Sequence, residues 1–228
     1  MSSKAYFDKV ADQWDEMRED FFPKDVREKA LAAAGVKAGE SAADIGAGSG
    51  FLSEALLREG LHVIAVDQSE AMLNMMRRKF SAAGSIDYRA GEASSLPIAD
   101  EAVDHAFANM YLHHVESPPV AIKEMARILK PGGKLVITDM DKHEYEFLNT
   151  EHHDRWMGFE REDIHQWFEE AGLQNVTVDC VDETCCADSS SGTEQAIVSI
   201  FIAHGRRIDP SPWESFWTPV QFLISAHA

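Results

Sequence analysis

The sequence predicts an α/β fold, with a doubly wound, seven-stranded and mostly parallel sheet that contains one antiparallel strand. Short apolar runs alternate with helical patterns along most of the chain, as parallel strands joined by crossover helices require. A glycine-rich turn separates the first apolar run from the helical pattern that follows it. The last two runs have no helical pattern between them, which predicts an antiparallel pair.

The predicted strands are runs of mainly apolar residues bounded by turn or helix signals. The early runs alternate with helices, and a loop separates the final two. They cover residues 41–45, 61–67 ("LHVIAVD"), 85–90, 103–109 ("VDHAFAN"), 134–140 ("KLVITDM"), 174–181 and 195–204.

The predicted helices carry start and stop signals. Ser69 can cap a helix whose apolar positions follow helical spacing. Ser117 and the proline after it open another helix, whose apolar face extends to Leu129 and which "KPGG" (130–133) ends. A further helix covers about 160–171 and is followed by glycine.

The charge of the chain excludes several classes of partner. Its 228 residues contain 21 Lys and Arg against 39 Asp and Glu, a formal net charge of -18. Nucleic acids and anionic membrane surfaces bind mainly basic groups, so neither is expected as a partner. The three cysteines are too few for a disulfide framework, and no apolar run reaches signal-peptide or membrane-span length. These observations predict a cytoplasmic protein with a small-molecule substrate.

Three glycines occupy every second position at the end of "ADIGAGSG" (43–50), the predicted turn after the first strand. A phosphate-binding loop requires Lys and then Ser or Thr after the last glycine, whereas this loop continues with Phe51 and Leu52. A dinucleotide fingerprint would place its third glycine at position 51. Asp67, which ends the second predicted strand, can accept hydrogen bonds from both ribose hydroxyls of an adenosine ligand. That pattern alone fits a nicotinamide cofactor nearly as well.

Five segments, taken in order, point to one family. They are "ADIGAGSG", "VIAVDQSEAML", "YRAGEASSLP", "VDHAFANMYLHHV" and "EMARILKPGGKLVITD". Together they resemble class I S-adenosylmethionine-dependent methyltransferases, of the methyltransferase type 11 or ubiquinone-biosynthesis-like kind, over roughly residues 4–204. The segment "HHDRWMGFEREDIHQWFEEAGL" (152–173) is similar to methyltransferase domains fused to arsenical-repressor-type regulators. The resemblance implies the Rossmann-like methyltransferase fold, S-adenosylmethionine as the cofactor and S-adenosylhomocysteine as its product.

The resemblance also implies which residues bind the cofactor. The glycines of the loop would line its methionine and ribose moieties, and Asp67 would hold the ribose hydroxyls. Glu92 stands where the family usually has Asp beside the adenine amine. Asn109 and Met110, which end the fourth strand, would border the sulfonium. The complete implied set is Asp44, Gly46, Ala47, Gly48, Gly50, Asp67, Gln68, Glu92, Ala93, Asn109 and Met110.

Histidines and aromatic residues are the candidates for the acceptor side. His113 and His114 follow the fourth strand, and either is a candidate general base because imidazole titrates near neutral pH. The alternative is that they pack the loop. Side chains at adjacent helical positions point about 100° apart, so neither this pair nor His152 and His153 predicts a metal site. The aromatic residues of the first predicted helix would either close over the cofactor or pack that helix. The candidate acceptor contacts are Tyr6, Trp14, Asp139, His152, His153, Trp156, Cys185 and Cys186.

The three cysteines, Cys180, Cys185 and Cys186, are expected at the end of one strand and in the loop after it. If the strand over 174–181 is parallel to the others, that loop emerges at the cofactor edge, where the thiols would cluster. Thiolates are soft ligands for zinc, copper(I) or a trivalent metalloid. The alternative is that they are small apolar side chains near a loop.

The predicted function is direct methyl transfer from S-adenosylmethionine to a small-molecule acceptor. The alternatives are a metalloid or thiol methyltransferase that uses the cysteines, and a non-catalytic S-adenosylmethionine-binding module. A nicotinamide-dependent oxidoreductase would share the sheet and Asp67, but requires a glycine at position 51.

The sequence divides into three regions. Residues 1–35 are expected to form an N-terminal helical cap of two helices separated by "FFPKD", and residues 36–205 the methyltransferase domain. Residues 206–228 form an aromatic C-terminal tail. Either the tail or the N-terminal helices would provide the contacts of a homodimer.

Overall fold

The sheet of this protein, seen in a computed structural model that describes residues 3–21, 23–189 and 191–208, contains seven strands. Short connections join them to the helices. The strands are β1 (Ser41–Ile45), β2 (His62–Asp67), β3 (Ile86–Ala90), β4 (Val103–Asn109), β5 (Leu129–Met140), β6 (Leu173–Asp188) and β7 (Gln195–Arg207).

The strand order across the sheet is β3-β2-β1-β4-β5-β7-β6. β1 to β5 pair in parallel, and β7 is antiparallel to both β5 and β6. β7 is therefore the reversed strand, which confirms the predicted fold class. The order of the strands reverses between β1 and β4, and such a switch point opens a crevice at the carboxyl ends of the strands.

Helices cover both faces of the sheet, and two short 3₁₀ turns cover residues 11–13 and 112–114. The helix after the N-terminal pair, together with the two that follow β1 and β2, packs on one face, and the helices that precede β5 and β6 pack on the other. The helices are α1 (Ser3–Val10), α2 (Trp14–Phe21), α3 (Asp25–Ala34), α4 (Phe51–Arg58), α5 (Glu70–Lys79), α6 (Pro118–Arg127), α7 (Glu146–Glu151) and α8 (Arg161–Glu170).

The alternation of β4 shows why both faces need a cover. Phe107 packs with the α3 and α4 side chains, while its neighbours Ala106 and Ala108 face the layer of α6 and α8. All three are at least 98% buried, so this part of the strand is apolar on both faces, as expected of a parallel strand between two helical layers.

The proline–glycine segment "KPGG", which the sequence places before the fifth strand, is a bulge within β5. This corrects the sequence prediction. The helix α6 ends at Arg127, and Leu129 already pairs with Val103. The register then shifts before Lys134 pairs with His105. A Cβ at Gly133 would lie 2.8 Å from the Asp104 carbonyl oxygen, so the strands approach too closely there for a side chain. "KPGG" is therefore part of β5, rather than a stop between helix and strand.

β6 is longer than the sequence predicts and includes all three cysteines. The register between β6 and β7 shifts between Cys180 and Thr184, and Asp182 there has a φ of 57°. A bulge thus bends the strand without ending it. The prediction that the cysteines extend into a loop is wrong, since all three lie in β6. The polar residues at the bulge have the composition of a loop, which explains the error.

The first two helices lie over the carboxyl edge of the sheet. Asp8 in α1 accepts a hydrogen bond from the Ser69 hydroxyl at 2.6 Å, and Asp15 in α2 accepts one from the Ser49 hydroxyl. We call α1, the 3₁₀ turn and α2 together the cap. α3 packs against the sheet instead, where Ala30 and Leu31 join the core.

The first residues of the predicted tail, up to Arg207, belong to β7. The rest of the tail, beyond Ile208, lies outside the described residues. Among the described residues, no helix combines the length and the apolar character needed to cross a membrane.

Candidate active site

A cleft lies between the cap and the carboxyl ends of the central strands. Its position is the one expected at the β1–β4 switch point. Two halves can be distinguished. We name them after the roles that the sequence resemblance implies: the cofactor half is formed by the loops after β1 and β2, and the acceptor half by the segments after β4, β5 and α7. The cleft is lined by Tyr6, Phe7, Trp14, Arg18, Phe21, Asp44, Gly46, Ala47, Gly48, Ser49, Phe51, Leu52, Asp67, Gln68, Met72, Asn109, Met110, Tyr111, His113, His114, Met140, Leu148, His152, Asp154, Cys185 and Ala187.

The glycines of the loop after β1 all have a left-handed backbone. Their φ angles are 71° at Gly46, 55° at Gly48 and 89° at Gly50, a region that side chains disfavour. A Cβ at Gly46 would lie 2.2 Å from the ring of Tyr111, and one at Gly50 would lie 2.5 Å from the ring of Phe80. The loop therefore needs glycine both for its turn and for the groups that lie against it.

Asp67 is fixed at the end of β2 by backbone donors. The amide of Gly48 donates to its Oδ2 and that of Ser69 to its Oδ1, both at 2.8 Å. Burial raises the pKa of Asp67 to about 6, with a smaller contribution from Asp8, although the backbone hydrogen bonds oppose the shift. The carboxylate thus has a rigid position facing the cleft and a pKa close to neutrality.

Asp44, at the end of β1, is also buried in the cleft wall. Its Oδ2 accepts a hydrogen bond of 2.6 Å from the hydroxyl of Ser53 in α4. Burial is the main reason that the pKa of Asp44 rises to about 6, and the nearby Asp67 raises it further. Two carboxylates thus face the same half of the cleft, and a cationic ligand would stabilise the charge of both.

Tyr111 lies across the cofactor half, and the sequence prediction did not include it. Its ring covers Gly46, and the backbone of Ala93 hydrogen bonds to its hydroxyl. Burial raises the pKa of the phenol, and Asp67 and Glu92 raise it further because both carboxylates lie nearby. The phenol is thus placed among the residues that the resemblance assigned to the ribose and the adenine.

His113 is held by a buried carboxylate behind it. Its Nδ1 lies 2.6 Å from Oδ1 of Asp139, the residue that precedes the end of β5. The backbone amides of Leu112 and Met140 also donate to Asp139, both at 2.8 Å. The carboxylate therefore fixes the imidazole ring, so that Nε2 points away from Asp139.

Asp154 meets both histidines from the opposite side. Its Oδ1 lies 3.7 Å from Nε2 of His113 and 3.8 Å from Nδ1 of His114. The amides of Arg155 and Trp156 donate to the His113 carbonyl oxygen at 2.9 and 3.2 Å, which docks this segment on the 3₁₀ turn. His113, His114 and Asp154 are all at least 91% buried.

The two histidines have opposite electrostatic environments. Burial opposes charge on His113, but the neighbouring Asp139 and Asp154 outweigh it and raise its pKa to about 9. Burial and the charge of His113 instead lower the pKa of His114 well below its usual range. Near neutral pH, His113 is therefore the charged imidazole and His114 the neutral one. Burial also raises the pKa of Asp154 to about 6, although His113 opposes that shift.

An aromatic row on the cap meets histidines across the cleft. Tyr6 contacts His153, and Phe7 contacts His114, with ring centroids 5.1 and 5.0 Å apart. Phe21 meets His152 at 5.3 Å. These edge-to-face contacts hold the cap against the acceptor half.

This geometry agrees with comparisons to known proteins. The family model of a methyltransferase domain matches residues 43–137. The matched part contains the glycine loop, Asp67, Asn109 and both histidines after β4.

Curated relatives extend the match beyond the family model. The chain is 36% identical over 151 residues to the demethylmenaquinone methyltransferase of Renibacterium salmoninarum, which covers 60% of this chain and 62% of the relative. It is 30% identical over 154 residues to the ubiquinone biosynthesis O-methyltransferase of Hahella chejuensis, with 65% of each chain covered. The chain therefore spans less than two thirds of either relative.

A solved structure shares the fold of the methyltransferase domain. It is a chain of the Haloferax volcanii complex that contains the Trm112 methyltransferase activator. The two structures superpose with a TM-score of 0.74 at 22% identity, over 91% of this chain and 98% of the other. The predicted Rossmann-like methyltransferase fold is confirmed.

The structure brings most of the predicted site residues into the cleft. It also places Asp139 directly behind His113, without contact to the cleft. The predicted residues that line the cleft are Tyr6, Trp14, Asp44, Gly46, Ala47, Gly48, Asp67, Gln68, Asn109, Met110, His113, His114, His152 and Cys185.

Other predicted residues lie beside the cleft rather than on its surface. Glu92 forms a β-bridge with Ser95, and the backbone of Ala93 hydrogen bonds to the Tyr111 hydroxyl, which separates Ala93 from the cleft. The indole nitrogen of Trp156 donates a hydrogen bond of 3.0 Å to the carbonyl oxygen of Val115. The side chain is 39% exposed and does not line the cleft. The residues in this group are Gly50, Glu92, Ala93, Asp139, His153, Trp156 and Cys186.

The cysteines do not form a cluster. Cys185 is buried and lines the cleft, whereas Cys186 follows it on the opposite face of β6, as strand alternation requires. Cys180 is exposed and lies before the bulge. Burial raises the pKa of Cys185 to about 12, so its thiol is protonated at neutral pH.

Proposed function

We propose that this protein transfers a methyl group from S-adenosylmethionine to a small-molecule acceptor. The observation that carries the proposal is the pair of cleft carboxylates beside the glycine loop, with Asp67 held at 2.8 Å by the Gly48 and Ser69 amides. The match of residues 43–137 to a methyltransferase domain supports the same cofactor.

The cofactor half suits a cationic nucleoside. Asp44 and Asp67 offer carboxylate oxygens for an ammonium group and for ribose hydroxyls. Gly48 keeps space open in front of Trp14, because a Cβ there would lie 3.5 Å from the indole nitrogen. Acidic walls attract a cation and disfavour a pyrophosphate, which separates this ligand from a dinucleotide.

S-Adenosylmethionine supplies an electrophilic methyl group on a sulfonium centre when it is bound. The chain's own residues position the ligands around it. Asp67 would hold the ribose and Asp44 the amino group, while Asn109, tied to Thr138 at 2.8 Å, and Met110 would border the reacting centre. The cap excludes water from the cleft, so that alignment and desolvation contribute most of the rate enhancement.

The acceptor half favours an acceptor with an apolar body and a hydroxyl group. Phe21, Met140 and Leu148 provide apolar walls. His114 is the better general base, because it is neutral near pH 7 and its Nδ1 has no hydrogen-bond partner. Its Nδ1 would accept the proton of the acceptor hydroxyl, while charged His113 stays paired with Asp139.

The quinone-pathway names of the curated relatives fit this class of acceptor, and we infer an aromatic hydroxyl compound of that kind. A metalloid or multi-thiol acceptor site is not favoured, since Cys185 alone of the three cysteines lines the cleft. The resemblance to domains fused to arsenical-repressor-type regulators therefore gains no support from the site.

Thermal unfolding with S-adenosylhomocysteine, S-adenosylmethionine and NAD tests the cofactor. A ligand at a hundredfold excess over its Kd adds about 2.7 kcal/mol to the free energy of unfolding. We expect this shift with the two sulfur nucleosides, its loss in Asp67→Asn and its retention in Asp87→Asn. Asp87 is the matched control, because it is an exposed carboxylate paired with Arg89 on the adjacent strand β3. A shift with NAD alone would overturn the proposal.

Transfer of a labelled methyl group to a panel of catechols and hydroquinones tests the reaction. We expect turnover in the wild type, and in His114→Gln a loss of turnover with an unchanged S-adenosylhomocysteine shift. Cofactor binding without transfer to any acceptor would favour the non-catalytic module instead.

A further inference from the structure

We propose that His113, His114 and Asp154 form a binding site for a divalent transition-metal ion, zinc being the best match, whose remaining coordination position opens into the acceptor half of the cleft. The metal site does not depend on the proposed function. Its role toward the acceptor does, because the open position would bind the acceptor's oxygen only if this half of the cleft holds an acceptor. With the ion bound, the His114 Nδ1 lone pair is occupied, so the ion takes the place of the general-base role given to His114 above.

The distances between the three donor atoms are those of ligands around an ion. Oδ1 of Asp154 lies 3.7 Å from Nε2 of His113 and 3.8 Å from Nδ1 of His114, and all three atoms lie within 4.8 Å of one another. These separations are too long for hydrogen bonds. Tetrahedral zinc with bonds of about 2.0–2.1 Å would place its ligand atoms about 3.3–3.4 Å apart. The two nitrogen–carboxylate separations therefore need to shorten by only a few tenths of an ångström, and the two imidazole nitrogens, which lie within 4.8 Å, by at most about 1.5 Å.

His114 provides an independent reason to place a cation here. Its Nδ1 is buried and has no hydrogen-bond partner, while the backbone of His153 hydrogen bonds to the ring. The nitrogen lone pair thus faces a carboxylate oxygen across 3.8 Å. Two acceptors that face each other in a buried site repel, and a cation between them turns that repulsion into coordination.

His113 has the hydrogen-bonding pattern of a metal-bound histidine, and the ion would replace the proton that Nε2 carries in the metal-free protein. Its Nδ1 meets the Asp139 carboxylate at 2.6 Å, which leaves Nε2 directed toward Asp154. A carboxylate behind the ring fixes the orientation of a ligating histidine and increases its basicity. Asp139 is itself fixed by the amides of Leu112 and Met140, so this support is rigid.

Backbone hydrogen bonds, rather than contacts of its side chain, fix the position of Asp154, the third ligand. The Arg155 and Trp156 amides donate to the carbonyl of His113, and the Asn149 side chain donates to the carbonyl of Asp154. The site is thus preformed by docking of residues 154–156 on the 3₁₀ turn. Preformed imidazole and carboxylate donors favour zinc and related ions over magnesium or calcium, which prefer oxygen ligands.

Metal binding can be measured on the chain without cofactor or acceptor. We would remove bound metal with a chelator and then titrate Zn²⁺ by calorimetry and Co²⁺ by visible absorption. The expected result is one ion per chain, with the intense visible bands of four-coordinate cobalt. A stoichiometry well below one would overturn the site.

Matched variants assign the ligands. We expect Asp154→Asn and His114→Gln each to weaken Zn²⁺ binding at least a hundredfold, and Asp139→Asn to weaken it 10- to 100-fold as an orienting residue. His165→Gln is the control, because His165 is an exposed histidine 3.7 Å from Glu169 and so tests adventitious surface binding. Equal affinity in the wild type and in both ligand variants contradicts the proposal. A melting curve for each variant identifies any that fails to fold, and His114→Gln then stands in for Asp154→Asn.

Cys185→Ser tests whether the remaining position is open. A sulfur-to-cobalt absorption band that this variant removes would show that the Cys185 thiolate closes the site, which would overturn the open position. The S-adenosylhomocysteine melting shift is recorded on the same samples. Loss of metal binding with an intact shift refutes the metal site alone, and the reverse refutes the cofactor alone.

Discussion

The two halves of the cleft are built in different ways. The cofactor half comes from consecutive strand ends, and its residues from Asp44 to Ser69 lie within one β-α-β unit. The acceptor half combines segments that are far apart in the chain, namely the 3₁₀ turn after β4, Asp139, Asp154 and Cys185. A site of the first kind depends on local backbone geometry, and a site of the second kind depends on long-range docking.

The halves also differ in how they satisfy buried charge. Asp67 is held by backbone amides and Asp44 by one hydroxyl, all of them neutral donors. A bound cationic ligand would therefore balance the negative charge of the two carboxylates. In the acceptor half, His113 is paired internally with Asp139 and faces Asp154. Removal of a buried charge should therefore affect mainly ligand binding in the first half and mainly folding stability in the second.

Asp139→Asn should have the largest effect on stability. Removal of one partner from a buried ion pair typically costs about 3–5 kcal/mol. The pKa of His113 is raised to about 9 in the folded protein, above its unfolded value of about 6.5. Its contribution to stability is therefore complete below pH 6.5 and disappears as the pH rises through 9. Urea denaturation of metal-free protein should show the widest gap between variant and wild type below pH 6.5.

Asp87→Asn is the control for that measurement. Asp87 pairs with Arg89 at 2.7 Å on the surface, where an ion pair contributes at most about 1 kcal/mol. If both variants lose the same stability, the paired charge in the acceptor half is not structurally important.

Gly46→Ala should disrupt the cofactor half. A side chain at a φ of 71° costs about 1–2 kcal/mol, and its overlap with the ring of Tyr111 adds about 1–3 kcal/mol, so the expected total is about 2–5 kcal/mol. Gly172→Ala separates the two terms, because Gly172 has a φ of 83° and no atom within 4 Å of a Cβ. It should lose only about 1–2 kcal/mol and keep the S-adenosylhomocysteine melting shift. Equal losses of stability in Gly46→Ala and Gly172→Ala would show that the Tyr111 ring moves aside without a cost in free energy.

Cofactor affinity should decrease in acid. The pKa of Asp67 is about 6 in the free protein, and a ligand held by the carboxylate requires its ionised form. Protonation of Asp67 alone should weaken binding of S-adenosylhomocysteine, measured by calorimetry, about tenfold between pH 7 and pH 5, or about 1.4 kcal/mol. Asp67→Asn should bind weakly and lose this tenfold part, keeping only the pH dependence that Asp44, whose pKa is also about 6, contributes. The same pH profile in the variant and in the wild type would exclude Asp67 as a titrating contact.

Tyr111→Phe should have the smallest effect, and it should improve binding. The hydroxyl's hydrogen bond to the Ala93 backbone holds the phenol over the cofactor half. Loss of a hydrogen bond worth about 1 kcal/mol frees the ring to move, and S-adenosylhomocysteine should then bind roughly fivefold more tightly. Weaker binding would mean that the hydroxyl contacts the ligand directly.

The fold and the cofactor half could be predicted from the sequence because their signals are local. Strand and helix periods, the glycine spacing and Asp67 at a strand end each depend on neighbouring residues. The helix start at Ser69 is confirmed, since its hydroxyl accepts a hydrogen bond from the Met72 amide. The bulges in β5 and β6 were misread because proline, glycine and polar residues there have the composition of a loop.

The acceptor half could not be predicted in the same way. Asp154 was not a candidate, because nothing in its local sequence shows that the segment docks on the 3₁₀ turn 40 residues earlier. The adjacent histidines were expected to diverge, whereas a tight turn and the carboxylates on both sides hold their rings 4.1 Å apart. The "HHD" triplet at 152–154, which places a carboxylate next to two histidines, was the signal available.

We expect the cap to control how long a ligand stays bound. Its hydrogen bonds attach to Ser49 and Ser69, which belong to the two loops that would grip the cofactor. Exposed ion pairs from Arg78 to Asp12 and from Lys79 to Asp15 add to them, and salt screens such pairs. Release of product must therefore wait for these bonds to break, and ionic strength should change the residence time of the nucleoside more than its site of binding.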